Sequence, residues 1–161
     1  MLLGKVLAEA AMREDKHVTW FPSYGAEVRG GTAHCMVVIS DSEIGSPYIN
    51  KADTLIIMNS PSLIKFKDRL KNKGLLIINS SLVKDNADKD TVAFKHPFTD
   101  IALKLGNIKV ANMVALGFYI AQSEVVEGKT IIGVIQDIAP ADKRGLVEIN
   151  KEALVQGMKL K

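Results

Sequence analysis

The stretch Ser23-Tyr24-Gly25-Ala26-Glu27-Val28-Arg29-Gly30-Gly31-Thr32 concentrates the residue types suited to holding an anion. Glycines at 25, 30 and 31 let the backbone take positive φ or approach a ligand closely. The Arg29 guanidinium offers a planar fork that matches a carboxylate or a phosphate. The same residues also permit a structural outcome, in which Gly30-Gly31 turns a corner and Arg29 pairs with Glu27. Spacing alone does not separate the two.

Other chemistry-bearing residues are sparser. His17, His34 and His96 lie far apart and lack carboxylate or cysteine neighbours at ligand spacing, so ordinary surface or loop histidines are expected and no metal site. No serine sits in a G-x-S-x-G elbow, and no catalytic residue is expected in this chain. Cys35 is the single cysteine and falls within an apolar alternation, which favours a buried structural thiol over the competing reading, a nucleophile. One thiol allows no internal disulfide, no multi-cysteine zinc site and no iron–sulfur cluster held by this chain alone. Lys65, Lys67, Arg69, Lys71 and Lys73 occupy alternate positions. They are expected to form a solvated face, the competing reading being docking of an acidic partner or a phosphate-bearing cofactor. No exposed aromatics interleave with them, which argues against a nucleic-acid platform.

The elements that must position these residues are readable from the apolar pattern. Leu2, Leu3, Val6, Leu7 and Ala10 predict an amphipathic helix over 2–14. Val18 to Phe21 reads as a short strand stopped by Pro22, and residues 34–39 as a second. Leu55-Ile56-Ile57-Met58 and Leu75-Leu76-Ile77-Ile78 are short, continuously apolar runs, as in parallel strands buried on both faces. Between them Ser60 is the expected cap of a helix with Pro61 at its first position and a stripe of Leu63, Phe66 and Leu70; Gly74 would end the connection. This βαβ unit should be right-handed. Both runs end in Asn-Ser, at Asn59-Ser60 and Asn79-Ser80, and the carboxyl ends of strands are where open α/β sheets place ligands. Val92 to Phe94 reads as a further strand, and Thr99 as the cap of a helix closed by Gly106. Val110, Met113, Val114, Gly117, Phe118 and Ala121 mark a helix with a small-residue face. Ile131 to Ile138 marks another, broken at Ala139-Pro140, and a last helix is expected over about 150–158.

The composition fits one α/β domain over residues 1–161, since ~150 residues per domain is the usual expectation. A formal charge of +3 does not by itself argue for nucleic acid. No apolar run approaches the ~18 residues a membrane span requires, and no secretory signal opens the chain. A reducing, cytoplasmic setting is expected.

Read as a string, Thr19-Trp20-Phe21-Pro22-Ser23-Tyr24-Gly25-Ala26-Glu27-Val28-Arg29-Gly30-Gly31-Thr32-Ala33-His34-Cys35 closely resembles the signature of the gamma subunit of 2-oxoacid:ferredoxin oxidoreductases. Ile44-Gly45-Ser46-Pro47, Met58 through Leu63, Gly74 through Ser81, Val110 through Gly117, and Asn150, Ala153 and Gly157 resemble the same family in the same order. The resemblance implies a three-layer α/β/α, Rossmann-like domain with a mainly parallel sheet. It also implies membership of a complex that oxidatively decarboxylates a 2-oxoacid (of the pyruvate, 2-ketoisovalerate or 2-oxoglutarate type) to an acyl-coenzyme A and reduces ferredoxin. Thiamine diphosphate, held between alpha and beta subunits, does the carbanion chemistry in that family, and iron–sulfur clusters carry the electrons. The implied partners are alpha, beta and ferredoxin-like delta subunits, with ferredoxin as acceptor and neither nucleic acid nor membrane; this chain alone would hold none of the cofactors and would be inactive.

The implied site is the loop of Arg29, Gly30, Gly31 and Thr32, with Tyr24, Glu27, Asn59 and Asn112, facing coenzyme A or the neighbouring subunits. The family opens with a strand and a G-x-G-G-Q-G loop, whereas Met1 to Lys5 matches the residues just after that loop. The expectation is therefore a sheet lacking the family's first strand, its gap filled by self-association or another segment. Two other functions compete on the sequence: a free-standing nucleotide- or small-molecule-binding α/β module, and a purely architectural subunit.

Overall fold

A computed structural model describes residues 1–23, 32–84, 93–139 and 145–161. The element order opens with helix α1 (Leu2–Arg13), which buries Gly4, Val6, Leu7, Ala10 and Ala11 along one face. It stops at Asp15, a left-handed residue with φ 57°, where the amides of Asp15 and Lys16 bond back to Met12 and Ala11.

Strands β1 (His17–Ser23) and β2 (His34–Ser40) then pair antiparallel, with His17 opposite Ser40 and Ser23 opposite His34. They form their own two-stranded sheet, apart from the parallel one. β1 runs through Pro22 instead of stopping before it, and Pro22 stands opposite Cys35. β1 is paired along one edge only, and an edge strand tolerates a residue without an N–H. α1 lies against this pair so closely that a side chain at Gly4 would collide with the Cys35 sulfur. Cys35 is half-buried there, less enclosed than its apolar alternation predicts.

The remaining sheet is parallel, in the order β3-β4-β5, from β3 (Ala52–Ile57), β4 (Leu70–Asn79) and β5 (Ala93–His96). Successive residues of β4 enter opposite cores. Leu76 and Ile78 pack with Leu63 and Phe66 of helix α2 (Ser60–Phe66), whereas Ile77 joins the larger core of α1 and the later helices. Helices therefore cover both faces of the parallel sheet, the α/β/α layering expected of it.

The later helices are α3 (Phe98–Lys104), α4 (Ala111–Ser123), α5 (Gly128–Asp137) and α6 (Gly145–Met158). α4 is the centre of the large core, with Met113 through Phe118 all buried. α4 and α6 meet backbone to backbone. A β-carbon on Gly117 would strike the Leu154 carbonyl, and one on Gly157 would strike the Val114 carbonyl. The small-residue face read from α4 is this contact.

Several boundaries differ from the sequence reading, each for a local reason. Asn59, not Ser60, caps α2: its side chain accepts from the Ser62 amide at 3.0 Å. α2 gives way to a 3-10 turn at Lys67–Arg69, and Leu70 opens β4 instead of completing a helical stripe. Leu70 still packs on the α2 cluster, so its apolar spacing points to the right core from a different backbone conformation. Gly74 lies inside β4, where a β-carbon would come within 2.9 Å of the Asp53 carbonyl oxygen. Thr99 is not a cap: Pro97 precedes α3, and Thr99 is buried in its first turn. Gly106 does follow that helix, at φ 90°. α6 begins five residues earlier than the periodicity gives, at Gly145 instead of about 150. Lys71 and Lys73 belong to β4, so the cationic run divides between a helix and a strand.

Candidate functional site

The carboxyl ends of the three parallel strands converge on Asn79, which is fully buried. Its side-chain nitrogen donates to the Met58 carbonyl at 3.2 Å and to the Thr99 hydroxyl at 2.8 Å, while its oxygen accepts from the Thr99 amide at 3.3 Å. The Ser80 amide donates to the His96 carbonyl, and Ser81 Oγ accepts from the Asp100 amide. This polarity is spent on fastening β3, β4, β5 and α3 together. A buried amide satisfied on both its atoms is a structural clamp.

Of the residues expected to form a site, Tyr24, Glu27, Arg29, Gly30 and Gly31 lie outside the described residues. Thr32 is half-buried just before β2, and its hydroxyl oxygen is buried without a hydrogen-bond partner. Asn112, in the first turn of α4, likewise has a buried, unpartnered side-chain oxygen. Asn59 is occupied as the α2 cap. α2 and α4 pack on opposite faces of the parallel sheet, so the cap residue Asn59 and the first-turn residue Asn112 sit on helices of different layers.

The histidines are packed, not loose. His96 ends β5 and stacks on Phe118 at 4.5 Å between ring centroids, and burial pushes its pKa below the ordinary histidine value. His34 opens β2 and stacks on Phe66 of α2 at 4.6 Å. Burial again lowers its pKa; a hydrogen bond with the Thr32 backbone works the other way, and the charges of Lys65 and Arg69 add to the lowering. These two cations lie over the Phe66 ring, with Lys65 Nζ 5.6 Å and Arg69 Cζ 5.7 Å from its centroid. The sequence gives no sign of this cluster. His34 and Phe66 stand on different elements, and only the tertiary packing of β2 against α2 brings them together.

A cleft of about 610 Å³ opens at the opposite end of the hairpin, lined by Glu14, Lys16, Asp41, Glu124 and Glu127 over an apolar floor that includes Ile120. Most of its charges bond to each other or to nearby backbone: Lys16 with Asp41 at 2.9 Å, Glu14 with the Glu127 amide at 2.9 Å, and Glu127 with Lys129 at 2.6 Å. None of the residues predicted for the site lines it. Among the described residues no group of three or more His, Cys, Asp or Glu is placed to hold a metal ion, and no helix is long and apolar enough to cross a membrane.

A parallel three-stranded sheet covered by helices on both faces, with an antiparallel hairpin packed beneath its first helix, defines a mixed α/β, Rossmann-like protein. Residues 1–160 match the family model described as pyruvate ferredoxin/flavodoxin oxidoreductase, and the chain belongs to that family. Among curated relatives, the 2-oxoglutarate synthase subunit KorC of Methanocaldococcus jannaschii is 32% identical, over 98% of this chain and 84% of its own. The ketoisovalerate oxidoreductase subunit VorA of Methanothermobacter thermautotrophicus is 39% identical over 74% of this chain; this chain spans only 25% of that longer protein. Among solved structures, the gamma subunit of a keto/oxoacid ferredoxin oxidoreductase from Geobacter sulfurreducens matches with a TM-score of 0.85 at 29% identity. That match covers 98% of this chain and 88% of the subunit.

Proposed function

We propose that this chain is the gamma-type subunit, a single domain over 1–161, of a multi-subunit 2-oxoacid:ferredoxin oxidoreductase. The observation that carries the reading is the likeness to the Geobacter gamma subunit along nearly the whole of both chains. The complex would oxidatively decarboxylate a 2-oxoacid, transfer the acyl group to coenzyme A, release carbon dioxide and pass two electrons to ferredoxin. Names of relatives favour 2-oxoglutarate or 2-ketoisovalerate over pyruvate as substrate. The chemistry of decarboxylation and electron transfer comes from thiamine diphosphate and iron–sulfur clusters. Cys35 alone cannot ligate a four-thiolate cluster, and the reading assigns the clusters and thiamine diphosphate to alpha, beta and delta partners.

The part assigned to this chain is to position. Arg29, Gly30, Gly31 and Thr32, with Tyr24, Glu27 and Asn112, would face the partner subunits or coenzyme A. The Thr32 and Asn112 side-chain oxygens are buried without a hydrogen-bond partner among the described residues, a cost that a partner gained in the complex would relieve. Asn59 stays in that set through its side-chain nitrogen, its oxygen being used to cap α2. Arg29→Ala tests the assignment in the assembled complex. Loss of one charge-assisted anion contact should lower kcat/KM for coenzyme A by about tenfold or more, or weaken assembly by a similar factor. A raised KM for coenzyme A with intact assembly assigns Arg29 to the coenzyme, and lost assembly assigns it to the interface. Unchanged kinetics together with unchanged assembly would overturn the role of the loop.

A further inference from the structure

The Phe66 ring is buried, yet it holds two cations at its edge of the fold, Lys65 and Arg69. Five basic side chains have acidic partners: Arg13 with Asp137, Lys16 with Asp41, Lys71 with Asp53, Lys129 with Glu127 and Lys151 with Glu148. Lys65 and Arg69 have no such ion pair among the described residues; their shared neighbour is an aromatic ring and, behind it, His34. α2 and the segment hydrogen-bonded to it also expose large apolar side chains. Ile64 of α2 is 69% exposed, and Leu82, whose carbonyl accepts from Ser60 of α2, is 52% exposed. Cations held at a ring, without an ion pair among the described residues, together with exposed aliphatic side chains make a surface with both an electrostatic and an apolar demand.

We propose that the surface of Ile64 and Lys65 on α2, Arg69 on the 3-10 turn that follows it, and Leu82 on the segment bonded to α2 docks an acidic segment of a partner subunit, one whose Asp or Glu side chains flank a large apolar residue. The inference rests on the subunit reading above and adds to it the chemistry of one contact. Charge complementarity selects the acidic residues. The apolar flank selects a polypeptide over a small anion, because a phosphate would neutralise Lys65 and Arg69 but leave Ile64 and Leu82 in water. The cation–ring contacts hold both charged groups in place before the partner arrives, which reduces the entropy lost on docking.

The test uses the complex purified after co-expression of this chain with its partner subunits. The double reversal Lys65→Glu/Arg69→Glu should weaken assembly by about tenfold or more and flatten its salt dependence. Lys65→Arg should assemble normally, and Ile64→Ser, which leaves every charge in place, should also weaken assembly. Zero-length carbodiimide coupling should join Lys65 to an Asp or Glu of an identified partner subunit, and Lys65→Arg should abolish that cross-link. A wild-type circular dichroism spectrum and a cooperative thermal transition check that each variant keeps its fold; the His34 resonance is no such control, because the Lys65 and Arg69 charges act on that ring directly.

Assembly of the double reversal at wild-type affinity and salt dependence would overturn the proposal. So would a site that binds inorganic phosphate, seen as a phosphate-dependent shift of His34, while assembly ignores the reversal. Should the wild-type chain itself fail to assemble, the subunit reading falls and takes this inference with it, an outcome distinct from a variant that assembles normally.

Discussion

Asn79 carries the heaviest structural duty of any single polar side chain among the described residues. It joins the end of β3 through the Met58 carbonyl, and α3 through both the hydroxyl and the amide of Thr99. Asn79→Ala should leave those partners buried and unpaired and cost roughly 1–3 kcal/mol, read as a lower midpoint in chemical denaturation. Thr99→Val keeps the volume but removes the hydroxyl, and should cost about half as much, because the Thr99 amide still reaches Asn79. Equal stability of Asn79→Ala and wild type would show that the strand ends are held by something else. The Asn-Ser strand ends are visible in the sequence as candidates for function. Their use as a clamp is not, because Thr99 lies twenty residues from Asn79 and meets it only in the fold. His34 repeats the lesson. An isolated histidine and one residue of a periodic helix give no hint that their rings stack.

Elements are legible where one physical requirement dominates their sequence. The apolar runs at 55–58 and 75–78 are parallel strands because burial on both faces permits almost nothing else. Leu2 to Arg13 is a helix because its apolar spacing fits no strand. Pairing is harder to read. The separate antiparallel sheet of β1 and β2 depends on which edges meet, and Pro22 reads as a stop until β1 is known to be an edge. The cap of α2 reads one residue late because Asn59 and Ser60 both suit that position. The small-residue face of α4 is legible in its spacing, and it leads to a prediction at this scale. Gly117→Ala and Gly157→Ala each place a methyl group on the backbone of the facing helix, which cannot yield as a flexible side chain would. Each should destabilise the chain by about 1–3 kcal/mol or more through forced separation of α4 and α6, despite the better helix propensity of alanine. A thermal midpoint at or above wild type would mean that the two helices do not approach so closely.

At the scale of the whole molecule, the family is legible because its signature is a contiguous string, whereas the site it implies is legible only in part. The string names Arg29, Gly30, Gly31 and Thr32, but their role depends on what stands opposite them, which in the proposed complex would belong to other chains. The described polar groups fit this division: strand-end polarity is used internally, while Lys65 and Arg69 have no ion pair among the described residues and Ile64 and Leu82 are exposed. The central claim is that this chain works as one subunit among several. Its most direct test is recovery of the native protein from its source cells, with intact-mass analysis of every chain recovered and an assay of coenzyme A-dependent 2-oxoacid oxidation. The account predicts stoichiometric recovery with larger thiamine- and cluster-binding subunits and with that activity. Recovery of this chain alone, with no such activity in its company, would contradict it.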